Sequence, residues 1–409
     1  MIAVGLRHAR RAGLSFPALM VLIYLIVFLI GAVIGLIWFP PGLQGKPHDV
    51  AGALVKWDAA WYLAIAEFGY RWLPNHTTLQ WNVAFFPLFP LIEVGIERLL
   101  GVWMPLVYVA LSFVLGVASI FAFHRLARDM LPETSARIAT AGFALYPGAV
   151  FILDAYPVSL MNLLCILTLL ALRRNKKWSA AVMMGVASAA GPLALVAAVV
   201  VPLHVIDARL GEQVRGAWRR LSAWLNTGSM AILTGLVSIS GFIGFVLYQW
   251  WRFGTPTAFV SAQQGWGTAS LALRLVRAAT FFPLTAYSGF SGVGAGGTHP
   301  GVQFELYIQS VEGAVAMAVC FMLLASQIRL TRWPVTVAGF AVLLAYYWGA
   351  GTVYGPMQAW RNLYVVIPMF LGIGVIANHT RWGALALVGF FTLLLGSQVA
   401  LSVAGYTVI

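Results

Sequence analysis

Phe85-Phe86-Pro87-Leu88-Phe89-Pro90-Leu91-Ile92-Glu93-Val94-Gly95-Ile96-Glu97-Arg98-Leu99-Leu100 decides how this chain is threaded. The segment is apolar enough to cross a membrane. Reading it as a span, however, inverts every later loop and puts Arg125, Arg128 and Arg137 on the outer side, against the preference of Lys and Arg for cytoplasmic loops. Its Glu93, Glu97 and Arg98 recur at helical spacing on one side, with Leu, Ile and Val on the other. That is the pattern of an amphipathic helix lying in the outer interface. The first outer loop then runs from about residue 41 to 103 and holds two such juxtamembrane helices.

The rest of the chain fixes the class. It has 409 residues, 61% hydrophobic and 9% charged, with a mean hydropathy of +0.87. A water-facing surface needs far more charge than this. Strands of a membrane barrel would alternate apolar and polar residues instead of running apolar for ~20 residues. The chain therefore reads as an all-α polytopic membrane protein, one continuous domain over residues 1–409. Apolar runs near 16–40, 104–124, 136–153, 160–172, 178–190, 192–206, 229–250, 304–328, 334–350, 363–378 and 383–405 suggest about eleven transmembrane helices. The first follows Arg7, Arg10 and Arg11. It is too long for a signal-peptide core and lacks a small-residue cleavage site, so it reads as an uncleaved helix.

A cytoplasmic N-terminus places most of the 25 basic residues inside, including Arg173, Arg174, Lys176, Lys177, Arg209, Arg215, Arg219, Arg220, Arg329, Arg332 and Arg381. Only Asp129, Glu133, Asp207 and Glu212 of the twelve acids join them. The net charge of +13 thus reports orientation in a plasma (inner) membrane, and no nucleic acid is implied. A second large outer loop covers about 252–303. Cys165 and Cys320 lie within apolar runs, and His48, His76 and His299 lack a metal-ligand spacing, so no disulfide, metal or cofactor is expected. The glycine run 288–297 lacks the Gly-Lys-Ser/Thr ending of a phosphate loop and reads as a plain loop or a mobile flap.

Trp57-Asp58-Ala59-Ala60-Trp61-Tyr62-Leu63-Ala64-Ile65-Ala66-Glu67-Phe68-Gly69-Tyr70 opens the first outer loop's chemistry. Two readings of Asp58 stand: a helix N-cap with Trp57 as interface anchor, or a general base taking a proton from an acceptor hydroxyl. Glu67, nine residues on, falls about half a turn out of phase at ~100° per residue. The two acids then share no face, which argues against a paired-carboxylate glycosidase. Asp154, at the outer end of a span, reads either as a water-exposed helix-end carboxylate or as a second acid facing a cavity. Among the outer cations Lys46, Lys56, Arg71, Arg98, Arg252, Arg274, Arg277 and Arg361, each is a candidate either for lipid snorkelling or for holding a phosphate.

Trp57-Asp58 through Gly69-Tyr70, with Phe85-Phe86-Pro87, resembles the signature of the PIG-V mannosyltransferases and their bacterial relatives. So does Arg252-Phe253-Gly254-Thr255-Pro256-Thr257-Ala258-Phe259 with Ala262-Gln263-Gln264-Gly265-Trp266. The resemblance implies a GT-C glycosyltransferase fold. It also implies a polyprenyl-phosphate sugar as co-substrate and a catalytic acid in the first outer loop, the role of Asp58. It makes Arg252, and Arg361 in Gln358-Ala359-Trp360-Arg361-Asn362-Leu363-Tyr364 with Pro368 beyond, the candidates for donor phosphate. Trp57, Glu67, Tyr70, Asp154, Tyr156, Gln263 and Trp266 become candidate substrate-binding residues. Two departures stand out. Ala155-Tyr156-Pro157-Val158-Ser159-Leu160-Met161 lacks the family's glutamate, at Val158, and Gly191-Pro192-Leu193-Ala194 lacks its arginine, at Gly191. The expected reaction is inverting transfer of a hexosyl group, mannosyl by resemblance, to an acceptor hydroxyl on the outer face. The alternatives are a polytopic lipid or sugar transporter or flippase, and a non-catalytic lipid-binding relative. The few charges near the spans, Glu305, Glu312 and Asp154, lie at span ends and weigh against transport.

Overall fold

The computed structural model describes residues 15–41, 52, 54–73, 80–101, 104–210, 217–266, 300–349 and 359–406, and within them every regular element is helical. In chain order these are α1 (Phe16–Trp38), α2 (Asp58–Phe68), α3 (Leu88–Leu100), α4 (Met104–Arg128), α5 (Glu133–Ala144), α6 (Val158–Arg173), α7 (Lys177–Ser188), α8 (Pro192–Ala197), α9 (Val200–Leu210), α10 (Ala217–Ser238), α11 (Ser240–Phe253), α12 (Ala258–Ala262), α13 (Pro300–Ser326), α14 (Trp333–Gly349), α15 (Ala359–Leu363), α16 (Ile367–His379) and α17 (Arg381–Val403). Short 3-10 turns occupy Asn82–Ala84, Pro147–Ile152 and Gln263–Trp266. The glycine run, Arg274, Arg277, Lys46, His48, His76 and His299 lie outside the described residues.

Among the described residues, four helical stretches are individually long and apolar enough to cross a membrane: Phe16–Trp38, Pro105–Arg128, Pro192–Leu210 and Arg381–Val403. Ser222–Ser238 and Ser240–Phe253 pass the same test only together, as a pair bent by 58° at the break, and make a fifth if counted as one span. Ser238 donates its hydroxyl to the Thr234 carbonyl at 2.7 Å, back-bonding of the kind that bends helices. The expected span at 136–153 is not one helix. It stops at Ala144, and Pro147, which cannot supply a helical N–H, opens a 3-10 turn. Four more apolar helices, Val158–Arg173, Val311–Ser326, Trp333–Gly349 and Ile367–His379, are shorter.

α1 packs on α17, α4 on α5 and α6, α6 on α7, and α16 on α5 and α13. The α1–α17 pair approaches so closely that a Cβ at Gly31 would stand 2.6 Å from the Gly396 carbonyl oxygen, and one at Gly35 2.2 Å from that of Ala400. Small residues bring backbones together where apolar burial gives no preference for protein over lipid. At one end of the bundle the basic loops are tied by ion pairs: Arg125–Asp129 at 3.3 Å, Arg128–Glu133 at 3.0 Å, Arg137–Glu133 at 2.7 Å and Arg332–Asp207 at 2.6 Å. The loop carrying Trp57-Asp58 lies at the opposite end, where Lys56 meets the last turn of α17.

The segment 85–100 does form a helix packed beside α2 and α4 rather than a span through the bundle. Glu93 departs from the pattern expected of a water-facing acid. Glu93 is 0% exposed, while Leu91 and Leu99 are 64% and 82% exposed. The outward medium is apolar, so the leucines face it and the acid turns inward, toward Tyr108 and Tyr62. Burial pushes the Glu93 carboxyl up to about 10, with the Tyr108 hydroxyl pulling it back. A folded-state value raised above the ordinary 4.5 means that stability contributed at low pH is lost as pH rises through the folded value. Glu93→Gln, which mimics the neutral acid, should therefore flatten thermal stability between pH 5 and 10. It should also stabilise the protein at pH 8, because an amide takes up no proton on folding. Thermal unfolding of the detergent-purified protein across pH measures both.

Candidate functional site

The site is built on a sharp turn. Trp57 takes φ 52° and ψ −119°, a left-handed conformation that costs a bulky residue of order 1–3 kcal/mol and needs support from its surroundings. Tyr156 supplies it. The Asp58 N–H donates to the Tyr156 hydroxyl at 3.1 Å, and that hydroxyl donates to the Lys56 carbonyl at 3.1 Å. One phenol thus spans the turn from both sides. The Ala155 N–H adds a bond to the Leu54 carbonyl at 3.1 Å, laying 54–58 along 154–156.

Asp58 is the first residue of α2, and the N-cap position belongs to Trp57, which makes no side-chain cap. The capping reading of Asp58 is therefore replaced by another partner. Its Oδ2 meets a guanidinium nitrogen of Arg361 at 2.8 Å, the two side chains being 18% and 15% exposed. The Arg361 guanidinium lies over the Tyr156 ring at 4.9 Å and the Phe151 ring at 5.5 Å. Aromatic faces favour a planar cation there, with Tyr156 serving both the turn and the arginine. Burial works against the charge on Arg361, but Asp58, Tyr156 and Tyr62 around it raise its pKa overall. Short α15 carries Arg361, and it packs on the 3-10 turn Pro147–Ile152. Gly148 permits that approach, since a Cβ there would stand 2.3 Å from the Trp360 carbonyl oxygen.

Behind the turn lies a second charged layer. Lys56 is 9% exposed and donates to the Ser402 carbonyl at 2.6 Å, anchoring the loop to α17. Burial lowers the Lys56 pKa, and Asp154 raises it. Asp154 is 6% exposed, and burial pushes it up to about 8 with Lys56 pulling it back. Asp154 is thus not a water-exposed helix end: it is buried, and the charge of Lys56 acts on it. The sequence reading gave Lys56 no role of its own. Its place directly before Trp57-Asp58 was the available signal.

The other candidates spread out. Glu67 is exposed on α2, out of phase with Asp58 as its spacing predicted. Tyr70 donates to the Phe85 carbonyl at 2.8 Å and its ring packs 5.6 Å from both Phe245 and Tyr248, which ties the loop to α11. Asn82, overlooked in sequence, holds the same loop by accepting from the Arg71 N–H at 2.7 Å and donating to the Gly69 carbonyl at 2.9 Å. Arg252 ends α11 exposed, its guanidinium 5.7 Å from the neighbouring Phe253 ring. Gln263 is exposed, and Trp266 closes the 3-10 turn after α12. That segment packs on Val83 through Ala258 and Ala262, so both quoted motifs meet in one loop assembly. Of the two phosphate candidates, only Arg361 touches Asp58 among the described contacts. Beyond the site, an apolar groove of about 400 Å³ runs between α2, α3 and α11, walled by Ile65, Leu88, Leu91, Phe245 and Tyr248.

The model of the mannosyltransferase (PIG-V) family matches residues 44–283, which includes both motifs and stops short of Arg361. The chain is 31% identical over 151 residues to human GPI alpha-1,6-mannosyltransferase 2, a match covering 34% of this chain and 29% of that protein's length. Among solved structures, the oligosaccharyltransferase AglB of Archaeoglobus fulgidus in complex with an inhibitory peptide and a dolichol-phosphate is similar at 13% identity and a TM-score of 0.40, covering 94% of this chain and 56% of that one. Its apo form is similar at 16% identity and 0.39, with 94% and 56% covered.

The double role of Tyr156 can be separated. Tyr156→Phe keeps the ring beneath Arg361 but leaves the Asp58 N–H without its acceptor, and should cost about 1–3 kcal/mol of stability. Tyr156→Leu should cost about 0.5–2 kcal/mol more by removing the aromatic face as well. Chemical or thermal unfolding of the two variants beside the parent chain gives both differences.

Proposed function

This chain belongs to the mannosyltransferase (PIG-V) family, and on that premise we propose that it moves a mannosyl group from a polyprenyl-phosphate sugar to an acceptor hydroxyl at the outer membrane face. The observation that carries the reading is the 2.8 Å contact between Asp58 and Arg361, residues 303 positions apart in the chain.

The reaction needs one base and one cation. Asp58 takes the proton of the acceptor hydroxyl as its oxygen attacks the anomeric carbon. The bond from that carbon to the phosphate oxygen breaks, and the electron pair leaves with the phosphate, so a single displacement inverts the configuration. A phosphate is already a good leaving group, so no separate acid is required. Its developing charge falls to the Arg361 guanidinium, whose five N–H donors leave room for phosphate beside the bond to Asp58. In the present arrangement Asp58 and Arg361 occupy each other. An arriving donor phosphate competes for the arginine and releases a carboxylate oxygen toward the acceptor. The apolar groove starts at Ile65, two turns along α2 from Asp58 and about 10 Å away by helical rise. A prenyl chain attached to a phosphate at Arg361 would lie there. The outer location rests on the basic end of the bundle being cytoplasmic.

Three variants test this. Asp58→Asn should fold and bind donor yet lose transfer by ~10²–10⁴-fold, the usual worth of a general base. Arg361→Lys keeps a charge but loses the planar stacked geometry, and should lower kcat as well as raise the donor KM, because the same cation holds the phosphate and takes its developing charge. Arg252→Ala should do less than either. The measurement is transfer of labelled mannose from polyprenyl-phosphate mannose to membrane acceptors. Turnover by Asp58→Asn at the parent rate removes the mechanism. Labelled lipid crossing vesicles with no sugar released would favour transport instead.

A further inference from the structure

Two adjoining cavities at the end of the bundle opposite Asp58 share Asn175 and His204 as common wall. The first, about 200 Å³, has Arg173 and Arg332 in its lining above an apolar floor that includes Leu126, Leu169 and Leu371. The second, about 450 Å³, brings in Lys177 and Arg209. Among the described residues, no Asp or Glu lines either one. Asp207 balances Arg332 at 2.6 Å, while Arg173 spends a terminal nitrogen on a neutral acceptor, the Asp129 carbonyl, at 2.7 Å. Arg173 and Lys177 therefore give the described lining of the two cavities an excess of positive charge. A third opening at the same end differs. It is lined by Arg125, Arg128 and Arg137, but Glu133 lies among them and is paired with two of the three.

We propose that the two cavities form a headgroup site for an anionic phospholipid of the adjacent leaflet. Basic pockets between spanning helices at a membrane face bind such headgroups by charge. The leucine floor adds a preference that a free phosphate could not use, since only a molecule with an acyl chain covers apolar surface. The level fits as well. Trp178, beside Lys177, and Trp224, near the Asn226 of the second cavity, are 45% and 47% exposed, as tryptophans at a membrane interface are. Asn175 holds a positive φ of 55°, turning the α6–α7 connection sharply so that Arg173 and Lys177 flank the shared wall. None of these residues belongs to the site at Asp58, and the proposal stands independently of the transfer reaction.

The test reads binding, not turnover. The intact detergent-purified chain is titrated with phosphatidylglycerol, phosphatidylcholine and inorganic phosphate, following bound lipid by native mass spectrometry and stability by thermal unfolding. Phosphatidylglycerol should bind and stabilise, and the other two should not. Arg173→Gln and Lys177→Gln should each weaken phosphatidylglycerol about fivefold, the worth of one basic residue near an anionic surface. Arg173→Lys should retain most of the binding. Arg381→Gln, an exposed cation lining neither cavity, should change nothing. Equal binding of phosphatidylcholine, equal stabilisation by inorganic phosphate, or an equal loss in Arg381→Gln would each overturn the proposal. If Arg173→Gln does not fold, Lys177→Gln decides alone, since Lys177 is partly exposed at the start of α7.

Discussion

A carboxylate and a guanidinium 2.8 Å apart, each less than one-fifth exposed, constrain everything around them. Ions withdrawn from water at the end of an apolar bundle are costly unless paired and hydrogen-bonded, and removing one partner leaves the other stranded. The fold meets this by bringing three distant segments to one point: the turn at 54–58, the stretch 151–156 and α15. Tyr156 is the junction, because its hydroxyl fixes the turn and its ring carries the arginine. The strained Trp57 backbone is the local cost. It aims the Asp58 side chain at Arg361 instead of letting it cap its own helix.

The next layer extends the same requirement to the helices. Lys56 reaches the Ser402 carbonyl only because α17 ends beside the loop, and α17 is held in register by its close contact with α1 through Gly31 and Gly35. A geometry of a few ångströms at the site thus depends on two spanning helices touching backbone to backbone. Charges at the other end are arranged differently. There most pairs are short-range and exposed, such as Arg125–Asp129 and Arg137–Glu133. Such pairs contribute little to stability. They fasten loops, whereas the pair at the Asp58 end holds a site.

The sequence displays this arrangement unevenly. Composition and charge placement make the helical membrane class legible, because lipid permits few alternatives to a helix. Asp58 and Arg361 were both legible as candidates, one from a motif and one from its position before a late apolar run, but their contact was not. Nothing local records a pairing across 303 residues. The burial of Glu93 is not legible because an amphipathic pattern does not say which side chain of a face meets water, and Leu91 and Leu99 of α3 point outward while Glu93 turns in. The broken span at 136–153 was legible in principle from Pro147, yet hydropathy averages across such a break. Asp154 stands at a span end in the sequence, and nothing local records that the fold buries it within electrostatic reach of Lys56.

The two departures from the family pattern look different once they are placed in space. Val158 begins α6 and is buried, and Met161, one turn on, lies 2.7 Å from the position a Gly191 Cβ would take. The segments in which relatives carry a glutamate and an arginine therefore touch in this chain, with apolar side chain against glycine. An arginine at 191 would meet the Met161 sulfur. Neither position contributes to the contacts among Asp58, Tyr156 and Arg361. Both departures thus leave intact the Asp58–Arg361 pair on which the proposed chemistry rests.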